Sequence, residues 1–80
     1  MKKKELREVV ENLMYSDSKF VKGNLVIEDI DEEGDRHLYV EDKGTDEMIA
    51  YCYYDAYDEH RNSASTITNF IWEEWDIRSY

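Results

Sequence analysis

Apolar residues near the start of the chain recur at helical spacing. Leu6, Val9, Val10, Leu13 and Met14 fall at i, i+3, i+4, i+7 and i+8, which places them on one face of a helix over residues 2–15. Lys4 and Arg7 stand four residues before Glu8 and Glu11, the spacing of helical ion pairs. Ser16-Asp17-Ser18 ends the segment.

From Lys19 onward the period shortens to two. Residues 19–30 read as a strand, rich in Phe20, Val21, Leu25, Val26, Ile27 and Ile30, with a bend or bulge at Gly23-Asn24. A turn over Asp31–Asp35 leads to a returning strand over 36–42. There Leu38 and Val40 face one way, and His37, Tyr39 and Glu41 the other. Lys43–Asp46 form a second turn, followed by a third strand over 47–57. Its alternation puts Met48, Ala50, Cys52 and Tyr54 on one face and Ile49, Tyr51 and Tyr53 on the other. A helix is the competing reading of 47–57, and the closely spaced tyrosines favour the strand. With both faces apolar or aromatic, this strand is expected to be central, with helices over one side and a partner or second protomer over the other.

Residues 58–64 read as a loop and 65–78 as a closing helix capped by Ser63 or Ser65. Ile67, Phe70, Ile71 and Trp75 define its buried stripe, and Trp72 lies off it. The expected fold is α+β in one 80-residue domain: helix, three-stranded antiparallel meander, C-terminal helix, with both helices on one sheet face.

Charge changes the picture most. Twenty acids against ten bases give a net charge of −10. Residues 1–22 carry six bases and four acids; the remaining residues carry four bases and sixteen acids. Such a field steers a protein toward basic partners and works against direct binding of nucleic acid. Cys52 is the only cysteine, which excludes an internal disulfide and fits a reducing compartment. No apolar run approaches the ~20 residues of a membrane span, and the residues after the N-terminal lysines are amphipathic, so the expected location is cytoplasmic.

Candidate chemistry is sparse. Asp29, Asp31, Glu33 and Gly34 open like a calcium loop. The bidentate carboxylate should then stand at position 12, which is Val40, and Arg36 occupies the usual apolar position. A hairpin turn is the better reading. Cys52 lies mid-strand in the acidic half, where a thiolate is disfavoured, so it reads as a buried structural cysteine rather than a nucleophile served by His37 or His60. His60 beside Asp58 and Glu59 lacks the further ligands of a metal site. No catalytic residue, cofactor or metal is expected.

The remaining signal is the acids and the aromatics. Asp29, Asp31 and Glu33 alternate, and on an extended strand such side chains project from one face about 7 Å apart, comparable with phosphates along a nucleic-acid backbone. Glu32, Asp35, Glu41, Asp42, Asp46, Glu47, Asp55, Asp58 and Glu59 are expected to add charge at the sheet ends, with Tyr57 and Trp72 as interface anchors. The expected function is a non-enzymatic inhibitor that occupies a basic protein surface in place of nucleic acid. By analogy with small phage-encoded inhibitors of similar size and acidity, the target class is a defence nuclease or DNA-repair enzyme. Two alternatives stand beside it: an immunity protein against a basic toxin, and a homo-oligomeric subunit joined through the tyrosine face of the third strand.

Overall fold

A computed structural model describes residues 1–54 and 63–80. The order is α1 (Lys3–Leu13), β1 (Lys19–Lys22), β2 (Leu25–Glu32), β3 (Asp35–Asp42), β4 (Glu47–Tyr54) and α2 (Ala64–Glu74). The α+β expectation holds: an N-terminal helix, an antiparallel sheet and a C-terminal helix.

The strand count differs. Four strands lie in the order β1-β2-β3-β4, all antiparallel. Gly23, expected as a bend within one strand, takes φ 60. With Lys22 opposite Leu25, Gly23-Asn24 is a two-residue hairpin turn with its left-handed residue first, and the chain reverses there. The β2–β3 turn is equally tight. Glu32 pairs with Asp35, and Glu33 (φ 55) and Gly34 (φ 90) are both left-handed, the backbone that matches the twist of a hairpin. Consequently β4 is not central. It stands at one edge among the described strands, with β2 and β3 in the middle.

One sheet face meets both helices. Leu25, Ile27, Leu38, Val40, Ala50, Cys52 and Tyr54 pack there against Leu6, Val9, Val10 and Leu13 of α1 and Ile67 and Ile71 of α2. Two details depart from simple alternation. A bulge between Val40 and Glu41 in the β3–β4 register pairs Glu41 with Met48, which puts Met48 in solvent, while Ile49 packs against the core. On α2, Phe70 is 46% exposed and Thr68 takes a buried place, while Trp72 lies half-buried against the core. Ser63 stands at the N-cap position but its hydroxyl makes no capping bond.

The end of α1 is pinned by a carboxylate. Tyr15 (φ 59) and Asp17 (φ 54) turn the chain out of the helix, and no glycine is present to do so. The Ser16 and Asp17 N–H groups donate to Asp29 Oδ2 at 3.0 and 3.1 Å. The Tyr54 hydroxyl donates to Asp29 Oδ1, and Tyr15 N–H donates to the Tyr54 oxygen at 3.1 Å. Arg36 Nη1 lies 3.3 Å from Asp29 and 2.8 Å from Asp17. The Asp29 side chain is fully buried, and these four donors are what make that tolerable.

Candidate functional site

The sheet face turned away from the helices has no covering layer among the described residues. Alternation builds it. Residues two apart share a face, and direct cross-strand partners do too. Val26, Glu28, Ile30 and Glu32 of β2 therefore lie with Asp35, His37, Tyr39 and Glu41 of β3, with Met48, Tyr51 and Tyr53 of β4, and with Lys19 and Val21 of β1. Val21 is 56% and Met48 55% exposed, and Tyr51 and Tyr53 are also open to solvent.

His37 is the centre of this face. Its ring stacks on Tyr39 at 5.8 Å and on Tyr51 at 5.4 Å, and tilts against Tyr53 at 5.5 Å. These rings leave His37 only 8% exposed. The Tyr51 hydroxyl lies 2.6 Å from His37 Nδ1, and Glu32 Oε2 lies 3.8 Å from Nε2. A neutral imidazole accepting at Nδ1 carries its proton at Nε2, on the Glu32 side. Tyr39 donates to Glu32 at 3.3 Å, and Tyr53 to Asp35 at 3.3 Å. Burial, reinforced by Glu32, pushes the Tyr39 phenol above its ordinary value. The polar tips are thus held by carboxylates of the same face, and the rings are fixed in place. Such a surface offers aromatic faces to a cation, with carboxylates alongside.

The residues expected to form a partner site are dispersed by the fold. Asp29 faces the core and is consumed by the α1 pin, so a partner cannot reach it. Asp31 lies on the helix side of the sheet, 3.9 Å from Arg36, and accepts the Gly34 N–H at 3.0 Å. Glu33 sits in the turn. The alternating row Asp29, Asp31, Glu33 therefore forms no exposed ladder. Asp42 belongs to the opposite end of the sheet, where it accepts the Tyr80 hydroxyl at 2.8 Å and the Gly44 N–H at 2.8 Å. The Tyr80 bond, then the Gly44 bond, lowers its pKa. Asp46 and Glu47 share that end. The register puts Asp35 at the β2–β3 turn, about 23 Å away along β3. Trp72 packs against the core with the Arg78 guanidinium 4.7 Å from its ring centre. Asp55, Tyr57, Asp58 and Glu59 lie outside the described residues.

Glu32, Asp35 and Glu41 do reach the open face. Glu28 and Tyr39 were not singled out, His37 was weighed only as a base for Cys52, and Tyr51 only as part of the tyrosine face of the third strand, although the alternation of 36–42 already turned His37 and Tyr39 away from Leu38 and Val40. Cys52 is buried, and burial pushes its thiol up to about 11. The expected burial of this cysteine is observed, and desolvation rather than acidic neighbours is the cause of the shift. Among the described residues no group of histidine, cysteine and acidic side chains could hold a metal, and no helix is long and apolar enough to cross a membrane. Compared with known proteins, the chain matches no family model, no curated protein and no solved structure at significant similarity.

Proposed function

We propose that this is a protein-binding protein whose open sheet face docks on a basic protein surface and blocks it. The observation that carries this reading is the composition of the face. Ordered rings of His37, Tyr39, Tyr51 and Tyr53 stand among Glu28, Glu32, Asp35 and Glu41, against only Lys19 and Lys43 among the described residues. Aromatic anchors supply burial, and the carboxylates supply complementarity and orientation. Two copies of the chain stacked face to face would oppose like charges, so the face suits a basic partner better than itself. Arginine-rich clefts that hold nucleic acid are the fitting class, because a guanidinium takes a carboxylate in the same bidentate geometry as a phosphate.

The test is capture of binding proteins at about 0.05 M and about 0.5 M salt, by three versions of the protein. They are the wild type, the Glu32→Lys/Asp35→Lys/Glu41→Lys variant, and Tyr51→Ser/Tyr53→Ser. The expected result is one basic protein held by the wild type at low salt, released at high salt, and lost by both variants. A partner that the charge-reversed variant still holds at high salt would refute the reading. A stable dimer in sedimentation, abolished by the tyrosine substitutions and indifferent to charge reversal, would replace it with self-association.

A further inference from the structure

The bases at the start of α1 do not do what their spacing suggests. Lys4–Glu8 and Arg7–Glu11 form no ion pairs; among the described residues α1 contributes one such pair, Glu5 with Lys22 at 3.0 Å. Lys3, Lys4 and Arg7 instead line a cleft of about 330 Å³ between the helices, opposite Ser65, Thr68 and Asn69 of α2. Lys3 and Arg7 stand four apart on one helix, and the three α2 residues stand at i, i+3 and i+4 on the other, so each set shares a helix face. In a chain with twice as many acids as bases, three basic residues with no carboxylate partner among the described residues line one cleft with two hydroxyl residues and an amide residue. Thr68 supplies the independent observation. It is 1% exposed, and its hydroxyl is buried with no hydrogen-bond partner among the described residues. A helical threonine ordinarily satisfies its hydroxyl on the carbonyl one turn back or in water, and a buried orphan is a rarity that calls for a reason.

We infer that the cleft between α1 and α2 is an oxyanion site, and that it takes a phosphate group. Lys3, Lys4 and Arg7 neutralise the charge, Arg7 offers a planar fork of donors, and Ser65, Asn69 and Thr68 complete the donors from α2. The volume lies at the lower end of small-molecule sites, room for a phosphate with a small attachment. The site is separate from the open sheet face, because the sheet lies between them.

Titration of the uniformly ¹⁵N-labelled protein with inorganic phosphate, against sodium chloride of equal ionic strength, tests this directly. The expected result is saturable shifts confined to residues 2–8 and 64–70, with a dissociation constant on the order of 1 mM. Arg7→Gln weakens binding about tenfold or more. Thr68→Val, equal in shape, melts at or above the wild-type temperature without phosphate, yet binds several-fold more weakly. Adenosine monophosphate and adenosine separate the sources. A tighter monophosphate with inert adenosine assigns the site to a phosphate ester; equal binding of monophosphate and phosphate assigns it to the free anion. Shifts that chloride reproduces, or that appear equally at Lys19, Lys22 and Lys43, would overturn the site. So would a Thr68→Val variant that binds phosphate like the wild type.

Discussion

Replacing Asp29 tests whether the acid row of β2 is structural or available to a partner. Asp29 accepts four hydrogen bonds, from two backbone N–H groups, the Tyr54 hydroxyl and Arg36. In Asp29→Asn the carbonyl oxygen can still serve Ser16 and Asp17, but those bonds lose their charge assistance, about 1 kcal/mol each. The amide nitrogen must face Tyr54, whose oxygen also accepts from Tyr15, so the hydroxyl proton loses its acceptor. Arg36 keeps Asp17 and Asp31. The expected loss is about 2–3 kcal/mol for Asp29→Asn and about 3–5 kcal/mol for Asp29→Ala, which strands the Ser16 and Asp17 N–H groups and the Tyr54 hydroxyl. Against roughly 4–12 kcal/mol for a domain of this size, the alanine variant sits near the threshold of folding. Asp31→Asn, half-exposed and only 3.9 Å from Arg36, should cost under about 1 kcal/mol. Urea unfolding followed through Trp72 and Trp75 reads all three, with the denaturant slope unchanged. The cycle of Asp29→Asn with Tyr54→Phe should show a coupling of about 1 kcal/mol or more. An Asp29→Asn variant within about 0.5 kcal/mol of wild type, or an Asp31→Asn variant equally destabilised, would refute the account of the α1 pin.

Stability should fall on the alkaline side through Cys52. The unfolded thiol ionises near 9.0 and the folded one near 11, so the unfolded state sheds its proton first. The contribution is whole below pH 9 and is lost by pH 11, about 2–3 kcal/mol, and Cys52→Ala should flatten that limb in urea titrations at stepped pH. Tyr54, pushed up by burial and by Asp29, adds in the same direction. Gly34→Ala should cost about 1–2 kcal/mol by thermal or urea unfolding. No atom lies within 4 Å of the added carbon, and the cost is the left-handed backbone alone. Glu33→Gly in the same turn should stay within about 0.5 kcal/mol of wild type, because relief at φ 55 is offset by a freer unfolded chain.

The helix α1 was legible because its apolar stripe coincides with the face it buries against α2 and the sheet. Leu6, Val9, Val10 and Leu13 are its buried residues, with Met14 at the margin. In α2 the same rule misassigned Phe70, Thr68 and Trp72. Its buried residues are Ile67, Thr68 and Ile71, so the buried arc is turned from the stripe the largest apolar residues suggest. The extra strand escaped notice because a glycine between two apolar runs bends a strand or reverses it depending on φ, which composition does not encode. Ile49 and Met48 exchanged roles through one bulge. Asp29 looked like a surface acid because two of its partners are backbone groups twelve and thirteen residues away. A donor that is not a side chain leaves no trace in sequence. The open face was half legible: alternation named its residues, but only the absence of a covering layer turned them into a surface.

The fold also accounts for a distribution of charge that a simple need for solubility does not. Six of the ten bases precede Gly23, and the acids dominate thereafter. In three dimensions part of that division, the three bases of α1, becomes a division of sides. The α1 bases gather between the helices, while Glu28, Glu32, Asp35 and Glu41 gather on the opposite sheet face. If charge served only to keep the protein dispersed, intermixed signs and local pairs such as Lys4–Glu8 would relieve repulsion at no cost. The chain forgoes those pairs. Both faces should weaken with salt, but a reversal at Glu32, Asp35 and Glu41 should leave phosphate binding at Arg7 intact, and Arg7→Gln should leave partner capture intact, because residues on opposite sides of a sheet with no shared contacts act additively. Cross-talk between the two substitutions would mean that one global field, rather than two built surfaces, governs what this protein binds.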